Sequence, residues 1–148
     1  MNKISEIEVS YRPAIGRKPL IHSALDAYLE LKEFFPENTI ALQEQFVCMY
    51  LNTRSRVLGV YHLSKGGISG TVVDIRLLLT VALKVAANSI ILAHNHPSGN
   101  TNPSNADKEL TKKIQAACKF LDIQVHDHLI LSPFGDYYSM ASEGMFVQ

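Results

Sequence analysis

The stretch that decides the fold is SIILAHNHPSGNTNPSNAD, residues 89–107. An apolar run leads to two histidines one residue apart, His94 and His96, and then to a loop rich in Pro, Gly and Asn. Asp107 follows at the start of the next helical pattern. The stretch therefore predicts a strand at 90–94 that ends at an exposed loop, with a helix beginning beyond it.

The two histidines and the aspartate are candidate metal ligands. Side chains two apart in a strand point to the same face, so His94 and His96 project together, roughly 6 to 7 Å apart at Cα. Pro97 and Gly99 end the strand, and the loop can deliver the Asp107 carboxylate to the same point. Two imidazoles and one carboxylate, with water in a fourth position, are typical of a catalytic Zn²⁺ site.

A helix cap is the competing interpretation of the same residues. Ser104-Asn105-Ala106-Asp107 has the S-x-x-[DE] form of a capping box, in which the first side chain caps the helix and the fourth supports its start. The two interpretations are compatible for Ser104, because a cap also fixes the helix that carries the aspartate. They compete for Asp107 itself.

Working outward from this stretch, the remaining patterns predict alternating helices and strands. Residues 44–52 are apolar on both faces, which is typical of a central strand, and 57–63 predict its hairpin partner. Helix 73–87 is apolar nearly all round, so we expect it to be buried, with Asp74 at its start. The other predicted elements are a first strand at 7–11, a helix at 20–35, a helix at 105–120, and strands at 124–131 and 137–140.

Composition limits the classes of protein that remain. The chain has 148 residues, enough for one sizeable core, with 47% hydrophobic and 19% charged residues. Lys+Arg and Asp+Glu are 14 each, which argues against binding to DNA or anionic membrane by bulk electrostatics. Two distant cysteines fit a reducing compartment, and Cys48 fits a core position. With no signal-like or membrane-spanning stretch, we expect a soluble, cytoplasmic protein.

Two motifs carry a resemblance to a known superfamily. HNHP at 94–97 followed by SNAD at 104–107 resembles the JAMM (MPN+) metalloprotease motif, H-x-H-P and then S-x-x-D. The longer string, with DHLIL downstream, resembles its RadC-type branch over about residues 40–148. The resemblance implies an α/β (mixed α+β) fold, a cytidine-deaminase-like/JAMM sandwich with a central mixed β-sheet flanked by helices. Residues 1–40 would add a strand and a helix that pack on a domain at 41–148.

The resemblance also implies roles for single residues. His94, His96 and Asp107 would hold zinc, and Ser104 would position water or stabilise the oxyanion. The family uses an upstream glutamate as general acid/base, and Glu44 is the best match because it opens the predicted central strand. These roles imply a zinc metallohydrolase acting on a peptide or isopeptide bond.

A second H-x-H pattern occurs at His126-Asp127-His128. It is a rival metal pair on spacing alone, but no loop-borne third ligand follows it. The resemblance places it on a strand beside the site, so we interpret Asp127 or His128 as support that orients the ligands.

The chain departs from the family at its N-terminus. The family usually carries a helix-hairpin-helix region there, and the first forty residues contain no such motif, so we expect a short form. The alternative function is a DNA-repair-associated protein acting on or near DNA, as a nuclease or a non-catalytic module. Neutral net charge favours the peptide substrate, and the superfamily makes a homodimer plausible.

Overall fold

The computed structural model describes residues 3–16, 18–66 and 72–146. Within these ranges the chain forms a mixed α+β fold, which confirms the predicted class. The described helices are α1 (Ala24–Leu31), α2 (Ile75–Lys84) and α3 (Asn105–Phe120), and a 3-10 turn (Lys32–Phe34) extends α1. The described strands are β1 (Gln45–Leu51), β2 (Val57–Lys65), β3 (Ser89–Asn95), β4 (Gln124–Leu131) and β5 (Tyr137–Ser139).

The described strands form one sheet in the order β2-β1-β3-β4-β5. Strands β3 and β4 run parallel and are joined through α3, whereas the other neighbours are antiparallel. A parallel pair needs a long crossover, which α3 supplies. Phe46 of β1 pairs with His94 of β3, so the start of β1 lies beside the end of β3. This register brings residues about fifty positions apart in the sequence together at one end of the sheet.

Both faces of the sheet are covered by helices. On one face, Phe46, Cys48 and Tyr50 pack with residues of α2 and α3. On the other, Val47, Met49 and Leu51 pack with residues of α1. Every residue of β1 is buried, as is every residue of β3. The prediction of a central strand that is apolar on both faces is therefore confirmed.

The prediction that the second helix is buried was wrong. Helix α2 is shorter than the predicted 73–87, and only Leu78 and Ala82 are buried, while Leu83 is 58% exposed. The helix lies on the outside of the sheet, so one side faces the core and the other faces solvent. Its predicted start is confirmed, because the Asp74 carboxylate accepts hydrogen bonds from the backbone N–H groups of Arg76 and Leu77.

The predicted first strand at 7–11 was also wrong. These residues form no strand in the described chain, and Ile7 and Val9 are 86% and 72% exposed. Tyr11 contacts β2 through its hydroxyl, which donates to the carbonyl of Leu58 (2.5 Å). Alternation of apolar residues identifies a face, but a strand also needs a hydrogen-bonded neighbour. The boundary at residue 40 between an N-terminal segment and the domain stays a prediction.

The helices that the structure describes include none with the length and apolar character needed to cross a bilayer.

Candidate metal centre

The two histidines of residues 89–107 converge at the end of β3. His94 is buried within the sheet, and His96 lies just beyond the strand with 14% of its side chain exposed. Their Nε2 atoms are 3.1 Å apart. Because β3 keeps its alternation to the end, both rings lie on the face that α3 covers.

Asp107 reaches both histidines from the first turn of α3. Its Oδ1 lies 3.3 Å from Nε2 of His94, and its Oδ2 lies 3.2 Å from Nε2 of His96. The same residue completes the capping box, because Oδ2 accepts the backbone N–H of Ser104 (2.8 Å) and its own N–H donates to Ser104 Oγ (3.0 Å). The cap and the contact with the histidines therefore coexist, and the cap aims the carboxylate.

Glu44 brings a second carboxylate to the same place. It directly precedes β1, and the pairing of Phe46 with His94 sets it beside His96. Its Oε1 lies 3.9 Å from Nε2 of His96. Ligand atoms of Glu44, His94 and His96 all lie within 4.8 Å of one another. Two imidazole nitrogens and carboxylate oxygens are the ligands of divalent first-row metals, so these residues could hold a metal ion.

The ring orientation of His96 suits metal binding. Its Nδ1 lies 2.6 Å from the backbone carbonyl oxygen of Asn100. A carbonyl oxygen only accepts hydrogen bonds, so Nδ1 carries a hydrogen. Nε2 is then the nitrogen whose lone pair takes either a proton or a metal, and it faces His94, Asp107 and Glu44.

The electrostatics of the site favour a bound cation. Burial raises the pKa of Asp107, but hydrogen bonds with His94 and His96 outweigh burial and hold that pKa well below its usual range. The hydrogen bond to Asp107 raises the pKa of His96, against the opposing effect of burial. The carboxylate is therefore charged and stabilises positive charge between the two imidazoles, whether a proton or a metal supplies it.

His128 supports the site from behind, whereas Asp127 faces the other way. His128 is fully buried, and its Nε2 lies 2.7 Å from Nδ1 of His94. Burial holds the pKa of His128 well below its usual range, and His94 lowers it further. The Asp127 carboxylate accepts hydrogen bonds from Ser139 Oγ and from the backbone N–H of Ala141. Of the second H-x-H pattern, His128 is thus the residue that contacts a candidate ligand.

The sequence patterns did not predict the roles of two residues at the site. Thr111 contacts Nδ1 of His128 through its hydroxyl (2.7 Å), and its position four residues after Asp107 was the available signal. Asn95 is fully buried on the opposite face from the histidines. Its Oδ1 accepts the N–H of Gln45 (2.7 Å), and its Nδ2 donates to the carbonyls of Ile40 (2.8 Å) and Gln43 (3.0 Å). Asn95 therefore holds the backbone on both sides of Glu44.

Comparison with known proteins identifies relatives of this chain. A protein of Flavobacterium johnsoniae named UPF0758 protein is 44% identical over 126 residues, covering 85% of this chain and 53% of the relative. Proteins of the same name from Porphyromonas gingivalis and Aquifex aeolicus are 36% and 34% identical to this chain. The matched regions cover 63% and 58% of the lengths of these two relatives. The chain thus spans just over half to just under two thirds of the length of these relatives.

The sequence profile described as RadC-like JAB domain matches residues 21–145. This match covers most of the chain and includes all four side chains that meet at the candidate metal centre. It confirms the resemblance drawn from the HNHP and SNAD motifs. The chain belongs to the RadC-like JAB domain family.

Proposed function

We propose that this chain is a zinc-dependent hydrolase that cleaves a peptide or isopeptide bond with metal-activated water. The observation that carries the proposal is the convergence of Nε2 of His94 and Nε2 of His96 with the carboxylates of Asp107 and Glu44. Membership of the RadC-like JAB family supports the same chemistry.

The geometry supports different roles for the two carboxylates. Asp107 places one oxygen near each imidazole, at 3.3 and 3.2 Å, and its helix cap keeps it there. Glu44 approaches only His96, at 3.9 Å, and 19% of its side chain is exposed. We therefore assign His94, His96 and Asp107 as zinc ligands and Glu44 as the general acid/base. When bound, zinc supplies Lewis acidity, which lowers the pKa of water and polarises a carbonyl.

Glu44 and Ser104 complete the proposed mechanism. A carboxylate beside the metal can take a proton from the attacking water and return it to the leaving amine. Ser104 Oγ accepts the N–H of Asp107, which leaves the hydroxyl hydrogen free to be donated to the oxyanion of the tetrahedral intermediate. Glu44 lies beside His96 just before the start of β1, and Ser104 caps the helix that carries Asp107.

The proposal is tested by comparing wild type with Glu44→Gln. Metal analysis should give about one zinc per chain in both proteins, because Glu44 is not assigned as a ligand. Hydrolysis of a library of peptides and isopeptides should occur with wild type and be lost in Glu44→Gln. Single-stranded DNA belongs in the same screen, since cleavage of DNA alone would replace the peptide substrate with nucleic acid. An active Glu44→Gln protein would remove Glu44 from the mechanism.

A further inference from the structure

The chain before α1 leaves apolar and acidic side chains in solvent. Residues 5–9, called the acidic segment below, are all exposed, with Ile7 at 86% and Val9 at 72%. Glu6 and Glu8 alternate with these two residues. In an extended chain, this alternation sends the carboxylates to one side and the apolar side chains to the other. Clustered apolar groups left exposed in this way are typical of an interaction site.

A groove, called the α3 groove below, runs between α3 and the chain that follows β5. It consists of two adjoining cavities, of about 220 and 530 Å³, which share Gln115 and Phe146. Met140, which is 1% exposed, and Met145 line the smaller cavity together with Phe146. Opposite the helix, the smaller cavity is therefore apolar.

The helix side of the α3 groove is positively charged. Lys108, Lys112 and Lys119 line it, spaced four and seven residues apart, so their side chains follow one side of α3. Asp122 is the one carboxylate among the described residues that line the groove. Lys112 also contacts Glu109 at 3.9 Å, but these side chains are 74% and 77% exposed, and such a surface pair contributes little. An acidic ligand would therefore meet an excess of positive charge.

We propose that the acidic segment of one copy of the chain binds in the α3 groove of a second copy. Its two glutamates face the lysines of the helix, and its apolar side chains face Met145 and Phe146. Aliphatic side chains fill an apolar cavity better than a phosphate backbone does, so the groove favours a peptide over nucleic acid. Self-association of this kind does not require the proposed hydrolytic activity.

The dimensions of the two surfaces agree. Five extended residues span roughly 13 Å, and the stretch of α3 from Lys108 to Lys119 is roughly 16 Å long. Glu6 and Glu8 are roughly 6 to 7 Å apart at Cα in an extended chain. Lys108 and Lys112 are neighbours one turn apart, at about 5–6 Å between Cβ atoms. Two ion pairs can therefore form at once.

The position of the acidic segment on the sheet requires a second copy. Tyr11, two residues after Val9, contacts the carbonyl of Leu58 on the edge strand β2. The α3 groove lies by the chain after β5, the opposite edge strand. Four strand spacings, roughly 19 Å, separate the two edges, whereas Val9 lies within about 7 Å of Tyr11. Each copy offers one segment and one groove, so two copies can exchange segments in a closed dimer.

The test measures the mass of the full chain by light scattering as its concentration rises. Wild type should pass from one to two chain masses, and added salt should oppose this because it screens the ion pairs. The pair Glu6→Lys and Glu8→Lys should weaken dimerisation about 10-fold or more, because like charges would then meet. The pair Lys108→Glu and Lys112→Glu should do the same. A protein with all four substitutions should dimerise again, since the charges on both surfaces are reversed.

Two further variants separate this contact from other causes. Ile7→Ser with Val9→Ser removes the apolar side of the segment and should also weaken dimerisation. Lys84→Glu with Lys113→Glu makes the same change in charge at exposed positions outside the α3 groove, one of them on the same helix, and should leave dimerisation unchanged. Residues 5–9 are exposed, so variants of the segment test the contact even if a groove variant fails to fold.

A wild-type chain that stays monomeric at about 1 mM would overturn the inference. So would a dimer that persists unchanged in both charge-reversal pairs, because another surface would then hold it together. A single-stranded oligonucleotide is tested as the other occupant. Monomeric wild type that binds this oligonucleotide, with loss of binding in the Lys108→Glu and Lys112→Glu protein, would assign the groove to nucleic acid instead.

Discussion

Asp107 shows how one residue can satisfy two sequence patterns at once. Its Oδ2 accepts the Ser104 N–H and also lies 3.2 Å from Nε2 of His96, while Oδ1 lies 3.3 Å from Nε2 of His94. A carboxylate has two oxygens with about four acceptor positions, so the cap does not use up its capacity. The capping box and the metal ligand set are therefore compatible in one side chain.

Substitution of Asp107 by asparagine should separate these two roles. Asparagine keeps an oxygen that can accept the Ser104 N–H but loses the negative charge that a cation requires. We expect Asp107→Asn to lose zinc while its metal-free stability stays within about 1 kcal/mol of wild type, because asparagine is as good a cap as aspartate. Asp107→Ala should lose zinc and also about 1 kcal/mol of stability. Metal titration and urea unfolding measure the two effects.

Asp74 provides the control for this experiment. It caps α2 by accepting the N–H groups of Arg76 and Leu77, and its cap serves no candidate ligand. Asp74→Asn should leave zinc affinity unchanged. Zinc binding of wild-type strength in Asp107→Asn would show that the charge of Asp107 is not needed.

The two cysteines should be inert in the native protein. Both thiols are fully shielded, and burial raises the pKa of Cys118 to about 11 and that of Cys48 further. At mildly alkaline pH only about one Cys118 in a thousand is then a thiolate, the form that reacts. We expect a thiol reagent to label neither residue until denaturant unfolds the chain. Rapid labelling of the native protein would mean that one of these core positions opens locally.

At the scale of elements, β3 sends different side chains to its two faces for different purposes. His94 and His96 face α3, and Asn95 between them faces the opposite side. There Asn95 makes three hydrogen bonds to the backbone of the segment that leads into β1. That segment carries Glu44, so one strand end positions the candidate ligands directly and the proposed general acid/base indirectly.

Replacing Asn95 with leucine should destabilise this junction. The N–H of Gln45 would lose its partner at a buried position, and the carbonyls of Ile40 and Gln43 would lose theirs at partly buried positions. A buried polar group left without a partner costs about 1–3 kcal/mol and a partly buried one costs less, so we expect the free energy of unfolding to fall by about 2–4 kcal/mol. Urea unfolding of wild type and the variant measures this difference in the free energy of unfolding.

Asn52→Leu is the matched control at the other end of β1. Asn52 also accepts two backbone N–H groups, those of Arg54 and Arg56, but in a partly exposed hairpin turn. Water can replace that acceptor, so the cost should be smaller. Equal destabilisation by the two substitutions would contradict the structural role assigned to Asn95.

At the scale of the whole molecule, the candidate metal centre joins three separated segments of the chain. Glu44 precedes β1, His94 and His96 lie at and just beyond the end of β3, and Asp107 lies in the first turn of α3. A ligand that binds only the folded state stabilises it according to its concentration and affinity. Zinc at about one hundred times its Kd should therefore raise the free energy of unfolding by about 2.7 kcal/mol.

Thermal unfolding with and without a chelator measures this coupling between metal and fold. The chelator should lower the Tm of zinc-loaded wild type and leave the Tm of His94→Ala unchanged. A chelator-induced shift of the same size in His94→Ala would place the stabilising metal elsewhere in the molecule.

Sequence by itself determined the local features of this protein. Periodicity marked β1, β3, α3 and β4 to within a few residues, because the spacing of apolar side chains reflects which face of an element is buried. Spacing also singled out His94, His96 and Asp107 as candidate ligands, since side chains carried by one strand and the next helix are close along the chain, and their role as ligands stays a prediction. The capping box was visible for the same reason.

Only the tertiary structure decided what depends on contacts between distant segments. The alternation at Ile7 and Val9 forms no strand, and α2 buries one side only, because neighbours decide pairing and burial. The proximity of Glu44 to His96 follows from the antiparallel register of β1 and β3. Thr111, His128 and Asn95 act through hydrogen bonds to groups on other segments, and hydrogen bonds between distant segments have no periodicity for a sequence to display.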